Sequence, residues 1–310
     1  MKKCVVTGGA GFIGSHLTKR LLELGIKVTV IDDFSEGKRK NLPVKTPNLK
    51  IIKASILDDV GKYIKGADVI FHLAALPRLQ RSLDAPWQTH RVNVDGTLNL
   101  LLLAKKHKVK RFIFSSSSSV YGNKNRIPFK ENMTPDPLVP YSLHKQVSED
   151  YCKMFSELWC VGTISLRYFN VYGPMMNPDS PYANLLPKFI KLISQGKNPV
   201  INGTGRHTRD FTFISDVVEA NILAAESNLS GEVFNIGFGR GISVNKVVKI
   251  LGKLMGKKVT PRYGPPKIEP RATLSSCSKA KKLLHWKPKV DFEEGLKIML
   301  KSQTGEKPKI

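Results

Sequence analysis

Tyr141 and Lys145 stand four residues apart in Tyr141-Ser142-Leu143-His144-Lys145, just after a proline-rich stretch from Pro128 to Pro140. On a helix that spacing puts both side chains on one face. An ammonium close to a phenol stabilises phenolate and lowers its pKa toward working pH. The pair therefore suits a tyrosine that takes a proton from a hydroxyl group. Upstream, Ser115 to Ser119 follow Arg111-Phe112-Ile113-Phe114 and precede Val120-Tyr121-Gly122. Apolar residues on both sides argue against a low-complexity linker and put the hydroxyls at the end of a buried strand. A Tyr-x-x-x-Lys pair alone recurs by chance in many helices.

A third feature gives the pair a context. Val5-Val6-Thr7-Gly8-Gly9-Ala10-Gly11-Phe12-Ile13-Gly14 runs from β-branched residues through glycines into the helical pattern Ile13, Leu17, Leu21, Leu22. Strand, tight turn, helix is the setting of a dinucleotide fingerprint. Gly8 permits the turn, Gly11 lets backbone N–H groups approach a pyrophosphate, and Gly14 lets helix and strand pack closely. The spacing Gly8-x-x-Gly11-x-x-Gly14 is one residue wider than the commonest form. Lys27-Val28-Thr29-Val30-Ile31 reads as the next strand, ending at Asp32-Asp33. A carboxylate about 20 residues after the glycines suits the adenine-ribose hydroxyls and repels a 2′-phosphate, favouring NAD over NADP. Lys38 and Arg39 follow closely and temper that preference.

The elements that must position these groups alternate strand and helix. Leu49–Lys53 is a short strand, Asp58-Asp59 opens a polar helix, and Val69–Ala75 is an apolar run suited to a strand buried on both faces. The small Ala74 and Ala75 leave room for a ligand against the backbone, while His72 reads as a hydrogen-bonded strand residue rather than a catalyst. Val94, Leu98, Leu101 and Leu102 have helical spacing within about 92–106. In open parallel sheets ligands sit off the carboxyl ends of the strands, which is where the serine run falls.

At 310 residues the chain can bury a large α/β domain or two unequal lobes. It has no apolar run near membrane-spanning length, and Met1-Lys2-Lys3 leads into a strand without a signal-peptide pattern. Cys4, Cys152, Cys160 and Cys277 are scattered, as expected in a reducing cytoplasm, with neither a disulfide framework nor zinc-site spacing. Lysine and arginine total 50 against 25 acids, a net charge of +25. Such a balance raises nucleic acid or a membrane surface as partners. The basic residues are spread out, without a block or aromatic platform, so a lysine-rich solvated surface with a site for an anionic substrate is the favoured reading.

The chain resembles the extended short-chain dehydrogenases/reductases that modify nucleotide sugars. The resemblance rests on TGGAGFIGSH (7–16), FHLAA (71–75), VNVDGT (92–97), FSSSSSVYG (114–122), YSLHK (141–145), LRYFNVYGP (166–174), RDFTFISDVVEA (209–220), FNIG (234–237) and SKAKKLLHWKP (278–288), which together span nearly the whole chain. It implies a Rossmann-like doubly wound parallel sheet over 1–167 that holds NAD, and a smaller C-terminal α/β substrate lobe over 168–310. A segment near 210–236 is expected to return to the first lobe. It implies Ser117 as the hydrogen-bonding partner of the sugar 4-hydroxyl, Tyr141 as acid/base, and Lys145 as holder of the nicotinamide ribose. Cofactor contacts are expected at Gly8, Gly11, Phe12, Ile13, Asp32, Ser55, Ile56, Leu73, Ala74, Ala75, Asn93, Ser115, Tyr141, Lys145 and Phe169. Substrate contacts are expected at Ser117, Tyr141, Asn170, Asn184, Leu185 and Thr273, with Arg209 and Arg271 as bidentate partners of the pyrophosphate. No metal is expected.

Three departures stand out: Ala54-Ser55-Ile56 replaces the usual Gly-Asp-Ile, and Ala272 and Ser276 replace acids. The family's 4,6-dehydratases place an Asp-Glu pair, and its decarboxylases a Glu, where this chain has Ser118 and Ser119, which cannot do carboxylate chemistry. The expected reaction is therefore NAD-dependent C4 epimerisation of a UDP-sugar through a 4-keto intermediate. Dehydration, decarboxylation and a non-catalytic sensor are the alternatives. Thr273 stands where members limited to unmodified hexoses often carry tyrosine, so UDP-GlcNAc and UDP-GalNAc join UDP-glucose and UDP-galactose as expected substrates. Pro77–Ser82 also resembles the N-acetyl-accepting branch. The family commonly forms a homodimer through two helices, here near 94–106 and 141–159. The tail after about Lys301 is expected to fray.

Overall fold

Runs such as Cys4-Val5-Val6 and Val69-Ile70-Phe71 are unbroken apolar segments because they lie in a sheet covered on both faces. The computed structural model describes the chain apart from residues 45, 180–183, 267–271 and 304–310. Arg271 and the tail from Thr304 onward thus lie outside the described residues. Seven parallel strands form the sheet: β1 (Lys3–Thr7), β2 (Lys27–Asp32), β3 (Leu49–Lys53), β4 (Val69–His72), β5 (Arg111–Ser117), β6 (Gly162–Tyr168) and β7 (Glu232–Ile236). Their order is β7-β6-β5-β4-β1-β2-β3, so the winding reverses between β1 and β4. The carboxyl ends of those two strands open the crevice in which such sheets bind ligands.

Alternate residues feed two apolar layers. Val6, Val28, Val30, Phe71 and Ile113 share one core with Leu17 and Leu21 of α1 (Phe12–Glu23). Val5, Ile31, Ile70, Phe112 and Phe114 face the other way, with Leu100 and Leu101 of α3 (Gly96–Lys106) and Cys152 and Phe155 of α4 (Pro140–Trp159). The one-turn helix α2 (Leu79–Asp84) lies between, in the loop after β4. Each fully buried leucine contributes about 1.5–3 kcal/mol of transfer free energy, so the layers fix the sheet as a rigid base. Helix α5 (Ile214–Glu226) packs against α1, and the strand after it, β7, pairs with β6.

The remaining described residues after β6 include helices Leu185–Ser194 and Val244–Leu254. Three two-stranded ribbons accompany them: Val171–Tyr172 with Thr212–Phe213, Thr208–Asp210 with Gly241–Ser243, and Val200–Asn202 with Arg262–Gly264. Details differ from the sequence reading. The strand expected over 69–75 ends at His72, and Leu73–Ala75 leave the sheet to border the crevice. The helix expected from 92 opens as a π-turn over Arg91–Asp95 before becoming regular. After Asp58-Asp59 only one turn forms, Gly61–Ile64, its Gly61 N–H donating to Asp59 Oδ1 at 2.9 Å.

Candidate active site

A cleft of about 860 Å³ runs along the carboxyl ends of the strands, from Asp32 and Ser55 at one end to Arg209 and Thr273 at the other. Gly8, Gly11, Phe12 and Ile13 form part of its wall. Gly8 has φ +68°, and a Cβ there would sit 2.6 Å from the Ala74 nitrogen. A Cβ on Gly14 would meet the Gly8 carbonyl oxygen at 2.2 Å. Gly14 therefore packs against the turn itself, where the sequence had suggested the strand. Asp32 accepts from the Ala10 and Phe34 N–H groups, both at 2.8 Å, which clamps the turn to β2 and leaves carboxylate lone pairs on the cleft side. Burial raises its pKa. Ser55 lines the cleft beside Ile56, with its hydroxyl accepting from the Leu57 N–H at 3.1 Å.

Pro140 occupies the first turn of α4, where its missing N–H costs nothing, so Tyr141 begins the helix at the mouth of the cleft. Tyr141, Lys145, Ser115 and Ser117 all line the cleft. Ser117 hydrogen-bonds Tyr141, and the Ser117 hydroxyl also accepts from the Ser119 N–H at 3.2 Å. The Lys145 ammonium donates to the Ser115 carbonyl at 2.7 Å and lies 5.9 Å from the centroid of the Tyr141 ring. The expectation that Lys145 lowers the Tyr141 pKa needs correction. Burial raises Tyr141, and the cation that opposes burial is Arg78, with the Ser117 hydrogen bond adding to it. Lys145 itself is pulled down to about 8 by burial, with Glu149 acting the other way.

His72 is structural, as its place in the strand suggested. Its ring nitrogens bond Thr7 Oγ1 at 2.8 Å and Thr97 Oγ1 at 2.9 Å, and burial pushes its pKa down to about 3. Thr97 donates to the Asn93 carbonyl at 2.7 Å, so its oxygen accepts from His72 Nε2 and Nδ1 is the acceptor from Thr7.

From the chain after β6, Asn170, Asn184, Arg209 and Thr273 reach the cleft. Asp210 holds this side together. It accepts from the N–H groups of Phe238, Gly239 and Ser275 at 2.8 to 3.1 Å and from the Ser275 hydroxyl. Arg209 and Thr273 are thereby carried on one braced unit.

Three expected contacts take other positions. Phe169 is fully buried against the stacked pair Tyr121 and Phe129, because Tyr168 and Asn170 on either side of it face the cleft. Asn93 lies beneath the cleft, with its side chain accepting from the Leu76 N–H at 2.8 Å and donating to the Leu76 carbonyl at 3.1 Å. Leu185 packs on the core while Asn184 and Pro187 line the wall. The sequence motifs include Arg78 and Asp210 without giving either a role of its own, and Glu149 stands outside them. For Glu149 the available signal is its place one helical turn beyond Lys145, on the face that carries Tyr141 and Lys145.

The wall therefore joins a glycine turn, a strand-end carboxylate and a serine–tyrosine–lysine group in one crevice, which defines a dinucleotide-dependent α/β enzyme fold. The family described as NAD dependent epimerase/dehydratase matches residues 4–237, and the chain belongs to it. It is similar to the UDP-N-acetylglucosamine 4-epimerase of Methanobrevibacter ruminantium M1, solved in complex with UDP-N-acetylmuramic acid. The two share 38% identity over 98% of each chain, with a TM-score of 0.95. The UDP-glucose 4-epimerase of Thermotoga maritima, solved with UDP-glucose, is 37% identical over 98% of this chain and 100% of that one, with a TM-score of 0.93. The UDP-N-acetyl-alpha-D-glucosaminuronate decarboxylase of Bacillus cytotoxicus is 37% identical, covering 96% of both chains. The family is NAD-dependent, and the tight Gly8–Gly14 cradle and Asp32 fit a dinucleotide. No group of metal-binding side chains occurs among the described residues, and no described helix is long and apolar enough to cross a membrane.

Proposed function

We propose that the protein is a UDP-sugar 4-epimerase. The observation that carries the reading is the composition of the wall beside Tyr141: Ser117, Ser118 and Ser119 are hydroxyls, and two of them stand where dehydration or decarboxylation calls for carboxylates. Gly8, Gly11, Phe12, Ile13, Asp32, Ser55, Ile56, Leu73, Ala74, Ala75, Ser115 and Lys145 would hold NAD, which supplies reversible hydride acceptance at C4. Tyr141 takes the proton of the 4-hydroxyl and later returns it, and Ser117 aligns that hydroxyl by hydrogen bonding. Lys145 keeps a positive charge beneath the site. Asn170, Asn184, Arg209 and Arg271 are assigned to the nucleoside diphosphate, and the 4-keto sugar, turning over after its proton and hydride have left, would take hydride back on the other face of C4 while Tyr141 returns the proton to the oxygen.

The substrate is assigned as UDP-glucose and UDP-galactose, with the N-acetylated pair admitted past Thr273. Residues 1–167 and the 210–236 segment form the cofactor lobe in this reading. The protein acts as a homodimer in the reducing cytoplasm, and the net charge of +25 serves solubility and anionic substrates rather than nucleic acid. Incubation with UDP-glucose, UDP-galactose, UDP-GlcNAc and UDP-glucuronate without added NAD, followed by NMR of the products, tests it. A C4 epimer without net NADH supports the proposal. A 4-keto-6-deoxy sugar, a pentose or no reaction overturns it.

A further inference from the structure

Arg78 has no role in that scheme, yet it lines the same cleft as Tyr141 and the serine wall. Its backbone lies at φ +95°, ψ 131°, a region that a side chain with a Cβ rarely occupies. Backbone strain of this kind is kept where the surrounding structure over-determines it, commonly at ligand sites. Here the surroundings do over-determine it. Asn93 grips both backbone groups of Leu76, and the Arg78 carbonyl accepts from the Ser82 N–H at 3.3 Å to start α2. The guanidinium is thus presented from a fixed loop, not a free one.

Its charge is poorly matched by the protein. Among the described residues the Arg78 side chain makes no hydrogen bond and no ion pair. Glu36, the acid whose charge favours that of Arg78, is already held by Arg81. Burial weighs against the Arg78 charge, with Tyr141 and Glu36 as the groups that favour it. A guanidinium drawn out of water without a partner is costly unless something negative completes it.

We propose that Arg78 is an anion subsite of the active cleft, binding a carboxylate or phosphate oxygen brought in beside Tyr141. The planar fork suits either group bidentately. This inference rests on Tyr141 marking where the sugar reacts. Two ligands can bring that oxygen: a sugar bearing a carboxylate next to the reacting carbon, as in a uronate, or the diphosphate of the cofactor.

Calorimetric titration of the whole protein with UDP-glucuronate and with UDP-glucose, plus measurement of NAD retained through purification, tests the subsite without relying on turnover. For Arg78→Gln, a loss of about tenfold or more in UDP-glucuronate affinity with UDP-glucose unchanged supports the sugar carboxylate. A fall in retained NAD with both sugars weakened equally supports the cofactor diphosphate. Arg78→Lys, which keeps the charge but loses the fork, restores part of either loss. Wild-type values for all three quantities in Arg78→Gln overturn the proposal. Failure of the wild type to epimerise any sugar overturns the functional reading and leaves these binding comparisons intact.

Discussion

The Thr273 hydroxyl donates to Asn170 Oδ1 at 3.2 Å while accepting from the Asp210 N–H at 3.1 Å. With its oxygen occupied, Asn170 turns its two N–H donors away from Thr273, the orientation needed to meet an acceptor such as a phosphate. Thr273 is therefore more than a small side chain at a gate. Thr273→Tyr changes size and removes this geometry together, whereas Thr273→Val keeps the size and removes only the hydroxyl. Thr273→Val is expected to raise KM for UDP-glucose about fivefold or more while leaving kcat near wild type, since one hydrogen bond is worth about 1 kcal/mol. Thr273→Tyr should in addition abolish UDP-GlcNAc turnover. Steady-state kinetics on both sugars decides, and equal UDP-GlcNAc turnover by wild type and Thr273→Tyr would remove the gate.

Opposite shifts on Tyr141 and Lys145 set a pH dependence. Proton removal needs phenolate, and burial raises the Tyr141 pKa, so activity should climb as pH rises. Burial lowers Lys145 to about 8, so above that value loss of its ammonium cancels the gain in phenolate, and activity should level off and fall only once Tyr141 is ionised as well. A bell-shaped kcat/KM profile is expected. Lys145→Met should lower the rate by about 10²–10⁴ and remove the alkaline fall. A profile that keeps its alkaline fall in the variant would assign that limb to another group.

The parts of the site visible in the sequence are those encoded within one short segment. Gly8, Gly11 and Gly14 belong to one turn, and Tyr141 and Lys145 to one helical turn, so spacing alone locates them. Asp210 works through Ser275, 65 residues away, and Glu149 through Arg167 on a neighbouring strand. Such partnerships arise only when the sheet order is known. Phe169 shows what alternation adds: its segment borders the cleft through Tyr168 and Asn170, while its own ring is turned into the core. Ser55 illustrates a third case, where the loss of a carboxylate is legible but its hydroxyl's commitment to Leu57 is a local turn detail.

The dimer assignment has its own test. Leu143, Met154 and Leu158 fall on one stripe of α4 and are 48%, 38% and 62% exposed, and Leu102 of α3 is 48% exposed. Large apolar side chains grouped this way mark an association surface. Leu158→Arg combined with Leu102→Arg is expected to convert a dimer to a monomer in light-scattering chromatography, with the far-UV spectrum unchanged. A variant with wild-type mass would move the interface elsewhere.

Acid stability should depend on His72. Its folded-state pKa of about 3 lies below the ordinary 6.5, so the unfolded chain binds a proton that the folded chain does not. Stability is therefore lost as pH falls from 6.5 toward 3, with His72 contributing a slope of about 1.4 kcal/mol per pH unit. His144, lowered to about 4 chiefly by burial, adds in the same direction. Urea unfolding between these limits should show a shallower decline for His72→Asn than for wild type. Parallel declines would show that other groups carry the acid sensitivity.

Beneath the serine wall lies a buried ion pair that ties three elements together. Arg167 on β6 donates to Glu149 on α4 through Nη2 at 2.6 Å and Nε at 2.9 Å, and the Ser116 hydroxyl of β5 donates to the same carboxylate. The Arg167 guanidinium also lies 4.7 Å over the Tyr121 ring. Ser116 lies between Ser115 and Ser117 in the cleft wall, and Glu149 is one turn beyond Lys145, so the pair braces the site from behind. Both charges are almost wholly buried, which makes a single deletion worse than a double one: the survivor is left uncompensated. Glu149→Gln is expected to destabilise the fold by about 3–5 kcal/mol, and adding Arg167→Met should recover most of that loss. The double variant should nevertheless epimerise more slowly than wild type, because Ser116 loses the carboxylate that fixes it. Chemical unfolding of both variants checks the energetics. A Glu149→Gln protein as stable as wild type would mean that water reaches the pair and that the brace is not what positions Ser117 and Lys145.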